Sequence, residues 1–173
     1  MKKLRNNILC ILIFLLFDVF YSFNSYGGEP VAIFDDWVLF KTTNNHKRLL
    51  CYMVSIPQQR YDNFNKRGQS FFNIIVEKGE KSKPEIYLSF GQILNKKIVK
   101  AELDIEKRKF PIFVYEDKAW AYNLNDDKEI IEELKKSTVF SVSVEYTNDK
   151  KLIDLYSLNG FDEAYEELLK ICE

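Results

Sequence analysis

The segment Ile98–Ile105 alternates without a break. Val99, Ala101, Leu103 and Ile105 fall on one side, and Lys100, Glu102 and Asp104 on the other. A period of two fits a half-buried strand and cannot be laid on one face of a helix. Residues 138–146 repeat the pattern, with Phe140, Val142, Val144 and Tyr146 opposite Ser141, Ser143 and Glu145. Asn148-Asp149 then signals a turn into a partner strand at residues 151–158.

Shorter apolar runs predict more strands at residues 36–41, 49–56, 71–76 and 85–90. Residues 110–115 read as the second arm of a hairpin after the turn at Glu106-Lys107-Arg108. Strands do not alternate with helices, so a parallel sheet is not indicated. The pattern predicts a mainly β chain built as an antiparallel sandwich or barrel. Two helices are expected. One, over residues 125–136, has Asn125 as its cap, Asp126 and Asp127 in its first turn, and Lys135 and Lys136 in its last. The other closes the chain after Asn159-Gly160, with Phe161, Tyr165, Leu168 and Cys172 on one stripe.

The N-terminus reads differently. Lys2, Lys3 and Arg5 precede an apolar run from Ile8 to Phe17, which Asp18 interrupts. That is too short for a membrane span and has the form of a secretory leader over residues 1–27, with cleavage after Gly27. The alternative is an uncleaved anchor. The remaining domain is residues 28–173. Removing Lys2, Lys3, Arg5 and Asp18 takes 25 basic and 26 acidic residues to 22 and 25, a net −3. Such a balance gives no reason to bind nucleic acid. Removal of Cys10 leaves Cys51 and Cys172. In an oxidising compartment these form a disulfide candidate that ties the last helix to an early strand, with two buried thiols as the alternative.

Chemistry is sparse. His46 is the one histidine of the chain and sits in a polar, turn-like stretch. Glu102 and Asp104 are candidates for paired acid–base carboxylates, but they also fit the wet face of a sheet. No ligand-spaced cluster, phosphate loop or nucleophile elbow stands in the sequence, so no catalytic residue, metal or cofactor is expected. The longest irregular stretch, residues 57–70, holds Arg60, Tyr61, Phe64, Lys66 and Arg67. These are candidate partner contacts, against the reading that the aromatics fold back onto the sheet.

These pieces resemble the invasion-associated locus B family of exported bacterial proteins. The resemblance rests on Asp36-Trp37, Leu50-Cys51-Tyr52, Ser55-Ile56-Pro57, Lys66-Arg67-Gly68 before Phe71-Phe72, and Phe113 leading to Ala119-Trp120. It continues through residues 154–161, then Ala164 and Cys172. It implies an Ig-like β-sandwich in the periplasm or at the cell surface, to which the residue pattern adds one short inserted helix and a C-terminal helix. It also implies a link to host-cell invasion in some pathogens, and no catalytic residues. The expected function is a non-enzymatic interaction module with an envelope or host partner; the competing class is a small periplasmic enzyme or enzyme inhibitor.

Overall fold

The computed structural model describes residues 28–62, 67–79, 83–94, 98–146 and 151–173. The expected leader at residues 1–27, Phe64 and Lys66, and the Asn148-Asp149 turn lie outside them.

The described residues are mainly β, with two antiparallel sheets and two helices. The strands are β1 (Glu29–Phe34), β2 (Trp37–Thr43), β3 (Leu49–Ser55), β4 (Gln59–Asp62), β5 (Phe71–Glu77), β6 (Glu85–Ser89), β7 (Ile98–Ile105), β8 (Arg108–Pro111), β9 (Phe113–Tyr115), β10 (Lys118–Trp120), β11 (Val139–Tyr146) and β12 (Lys151–Ser157). Seven of them make one sheet in the order β1-β2-β3-β5-β6-β10-β9, and five make the other in the order β4-β12-β11-β7-β8.

The alternating segments behave as their period requires. Ala101, Leu103 and Ile105 on β7, and Phe140, Val142, Val144 and Tyr146 on β11, are buried. They meet Leu39, Met53, Phe72, Ile74 and Leu88 from the larger sheet in one core. Rings cross the gap: Phe72 lies 4.8 Å from Phe140 and 6.1 Å from Tyr156, measured between centroids. Such edge contacts add to the burial of large apolar surfaces that drives two sheets together.

Helix α1 (Leu124–Leu134) is capped two residues before the expected Asn125. Asn123 is the cap, because its side-chain oxygen accepts from the amides of Asn125 at 2.9 Å and Asp126 at 3.2 Å. Lys135 stands at the C-cap rather than within the last turn. Ile130, Ile131 and Leu134 bury the apolar face. Helix α2 (Phe161–Ile171) lies against β1, β2 and β3. It inserts Phe161 edge-on against Trp37, 5.1 Å between centroids. Five strands cannot cover seven, and α2 covers part of the difference. Its entry needs glycine: Gly160 has φ +77°, and a Cβ there would collide with the carbonyl of Phe34.

Three expectations need correction. Residues 110–115 are not one strand: β8 pairs with β7, whereas β9 pairs with β10 in the other sheet. The chain changes sheets at Ile112, a buried residue whose N–H still donates to Ala101 at 3.0 Å. The stretch 57–70 is not wholly irregular, because β4 pairs with β12 as an edge strand. Strands β1 and β10 were not foreseen.

Candidate functional site

Of the five residues expected to meet a partner, Arg60 and Arg67 are used by the fold, Phe64 and Lys66 lying outside the described residues. Arg67 and Asp154 side chains are each 1% exposed and form a two-point ion pair. Arg67 Nε also lies 3.1 Å from Asp62. Arg60 donates to the carbonyl of Gly68 at 2.7 Å and approaches Asp154 to 4.0 Å. A buried charge is tolerated only when paired and hydrogen-bonded, so this cluster fixes the segment entering β5 rather than serving a ligand. Arg67 is thus corrected from surface contact to internal tie. Tyr61, 57% exposed on β4, remains at the surface.

The carboxylate pair is likewise satisfied. Glu102 is buried between Lys100 at 2.7 Å and Lys109 at 3.0 Å, and Lys109 also reaches Asp104 at 3.1 Å. Burial disfavours the Glu102 charge, but the two lysine hydrogen bonds outweigh it and hold its pKa below the usual carboxylate value. A carboxylate held ionised in this way is poorly placed as a general acid. His46 sits in an exposed turn, where Asn44 accepts from the amides of His46 and Arg48 at 2.9 and 3.0 Å. Burial pushes the Tyr146 hydroxyl up to about 12, against the pull of the Arg67 charge. It raises Tyr156 further, helped by Asp154.

Two grooves of about 340 and 370 Å³ flank α1. The first lies beside Ile131 and Tyr165; the second beside Arg108, Glu129 and Glu133. Arg108 bridges Glu129 at 3.0 Å and Glu133 at 2.9 Å, tying the β7–β8 turn to the helix. One polar group beneath α1 is unusual: Asp127 is buried, accepts from the Ile86 amide at 2.8 Å, and is pushed up to about 6 by its burial. It extends the β6 ladder by one acceptor. No group of His, Cys, Asp and Glu among the described residues has the arrangement of a metal site.

The surface the sequence did not reveal is the outer face of the seven-stranded sheet. Register places Ile33, Val38, Val54, Asn73, Tyr87, Trp120 and Phe113 directly opposite one another, one from each strand. This row crosses the whole sheet without a charge. Phe40 and Tyr52 stack beside it at 5.2 Å and continue into Ile75. Tyr87 contacts Trp120 at 5.7 Å, Trp120 contacts Phe113 at 6.3 Å, and Phe113 contacts Tyr122 at 6.3 Å. Ile33 is 71% exposed, Phe113 49%, and Tyr115 and Tyr122 60% each. A contiguous apolar patch of this extent marks an interaction site more often than a solvated face.

Cys51 on β3 and Cys172 after α2 face each other in the core as a disulfide pair, with Cα atoms 5.8 Å apart, inside the usual bridging range. Among the described residues, no helix is long and apolar enough to cross a membrane. No family model, curated protein or solved structure matches the chain.

Proposed function

We propose that this chain is an exported, non-enzymatic interaction module of the bacterial envelope, resembling the invasion-associated locus B proteins in an Ig-like plan. Its working surface is the outer face of the seven-stranded sheet. The observation that carries this reading is the uncharged aromatic and aliphatic row from Ile33 to Phe113. Two further features support it. Glu102 and Asp104 are engaged by lysines, and the second groove beside α1 is open and lined by charged side chains already paired with one another rather than by converging buried polar groups. The Cys51–Cys172 pair suits an oxidising compartment, where it staples a terminal helix. The partner is a macromolecule of the envelope or of a host, because the row spans all seven strands of the sheet.

The test is a photo-crosslinking side chain placed at Phe113 in intact cells, with a second placed at exposed Tyr61 on the other sheet. The expected result is a defined adduct from position 113 and little from 61. Adducts from neither, together with a hydrolytic activity abolished by Glu102→Gln, would overturn the reading in favour of an enzyme.

A further inference from the structure

We propose that the occupant of this face is a second copy of the chain, packed sheet on sheet about a two-fold axis that runs along β5. The proposal rests on reading the outer face as the working surface and names its partner.

The arrangement of the row is the first argument. Its aromatic residues are at one end, Tyr87, Trp120 and Phe113, and its aliphatic ones at the other, Ile33, Val38 and Val54. Asn73, on the fourth of seven strands, is the midpoint. A two-fold axis along that central strand sends each end onto the other. Phe113 then faces Ile33, Trp120 faces Val38, Tyr87 faces Val54, and Asn73, already buried among its neighbours at 7% exposure, marks the axis. Large rings fall against small branched side chains, which is how facing sheets interdigitate at about 10 Å separation. Isologous contacts of this kind close as dimers.

Area is the second argument. Seven strands about 4.8 Å apart make the face about 29 Å wide. The row and its outward neighbours, among them Phe40, Tyr52 and Ile75 on one side and Phe71 and Tyr115 on the other, extend it roughly 20 Å along the strands. The projected area is roughly 600 Å², and the relief of the rings adds to that, approaching the roughly 800 Å² per copy of a stable interface. Charge is the third argument. The row itself carries none, and Glu85 and Lys118 stand only in the rows beside it. Depletion of charge at the centre with charge at the rim is the composition of an interface core.

Ring geometry argues against a sugar polymer. Trp120 is inclined 59° to Tyr87 and 32° to Phe113, and Phe113 is inclined 63° to Tyr122. These rings share no plane on which a row of flat pyranose faces would stack, whereas inclined rings suit interleaving with side chains.

The experiment uses protein isolated from the envelope in the form the cell produces. Sedimentation velocity from the micromolar to the tenth-millimolar range is expected to give a reversible dimer. Trp120→Asp and Val38→Asp, one at each end of the row, should each weaken the dimer by at least about tenfold. Ile93→Asp, at an exposed site outside the row, should not. Where an Asp variant lowers thermal stability, cysteine cross-linking replaces it. Chains carrying both Ile33→Cys and Phe113→Cys should oxidise to covalent dimers, and chains carrying either alone should not. A monomer throughout the range, or a dimer indifferent to both Asp variants, would overturn the proposal. So would single-cysteine chains that cross-link as readily as the double variant, or association seen only with added glycan. If the chain is monomeric but the Phe113 probe still captures a different envelope protein, the dimer falls and the interaction module stands. If the chain dimerises through this face but the in-cell probe captures nothing, the module reading fails instead.

Discussion

Arg67 and Asp154 are paired at two points with both side chains 1% exposed, joining the segment before β5 in the larger sheet to β12 in the smaller. The pair crosses from one layer to the other, so its loss acts on the packing of the sandwich. Replacing one partner leaves the other charge stranded, and typically costs about 3–5 kcal/mol. Asp154→Asn and Arg67→Met are each expected to lower the urea midpoint substantially. The double variant Arg67→Met with Asp154→Leu should recover part of the loss, because the two fully buried charges are gone while Asp62 and Arg60, each partly exposed, keep theirs. A double variant as unstable as the sum of the singles would show that the cluster acts by shape rather than charge. Chemical unfolding of the four proteins measures this directly.

Asp127 gives the fold a pH dependence of definite sign. Its folded-state pKa, about 6, stands above the ordinary aspartate value because burial disfavours the anion, while the Ile86 amide favours it. The folded state therefore holds the proton more tightly than the unfolded one. The contribution is full below the unfolded value of 3.8 and is lost as pH rises through about 6. Asp127→Asn keeps an acceptor for Ile86 and removes the titration. The melting temperature of the native protein relative to this variant is expected to rise as pH falls from 7 toward 4. Glu102 works in the opposite sense. Its lowered pKa gives stability present above the ordinary glutamate value and lost in stronger acid. A flat difference between native and Asp127→Asn proteins across this range would remove the burial argument.

Much of the sandwich was legible because long strands with one buried face must alternate. Residues Ile98–Ile105 and 138–146 declare their inner faces by that rule alone. The short elements could not be read this way. β10 offers three residues, Lys118–Trp120, and β4 offers four, Gln59–Asp62, with Tyr61 its one large apolar side chain, so neither shows a period. The change of sheet at Ile112 was hidden because residues 110–115, from the end of β8 through β9, run on as one apolar stretch. The role of Arg67 was misread because its partner, Asp154, is 87 residues away, and local composition says nothing of such a pairing. The outer face escaped for a related reason. Its row takes one residue from each of seven strands, and only the register brings Ile33 and Phe113 onto one line.

The terminal helix offers a prediction on the Cys51–Cys172 pair. An isolated helix of 11 residues is marginal in water. Closing a loop of 121 residues contributes on the order of 5 kcal/mol in the chain-entropy picture. Cys172→Ser is expected to lower global stability and to speed amide exchange through α2 more than through β7 and β11. In unfolded, unreduced protein isolated from cells, neither Cys51 nor Cys172 should react with maleimide. Two reactive thiols would mean that the sulfurs are core residues and not a bridge.

Gly160 tests the docking of the same helix from its other end. Its φ of +77° costs an L-residue about 1–2 kcal/mol, and the Phe34 carbonyl leaves no room for a Cβ. Gly160→Ala is expected to destabilise by at least that much and to displace Phe161 from Trp37, which a change in tryptophan emission reports. Unchanged stability and emission would show that the helix start does not depend on this approach.

The central claim is that the outer face of the seven-stranded sheet is covered in the cell. Oxidative footprinting of intact cells and of dilute purified protein compares the two states on the same side chains. Phe113, Tyr115 and Trp120 are expected to be several-fold less modified in cells, while Tyr61 on the opposite sheet is modified equally in both. Equal modification of Phe113 and Trp120 in cells and in dilute solution would contradict the claim.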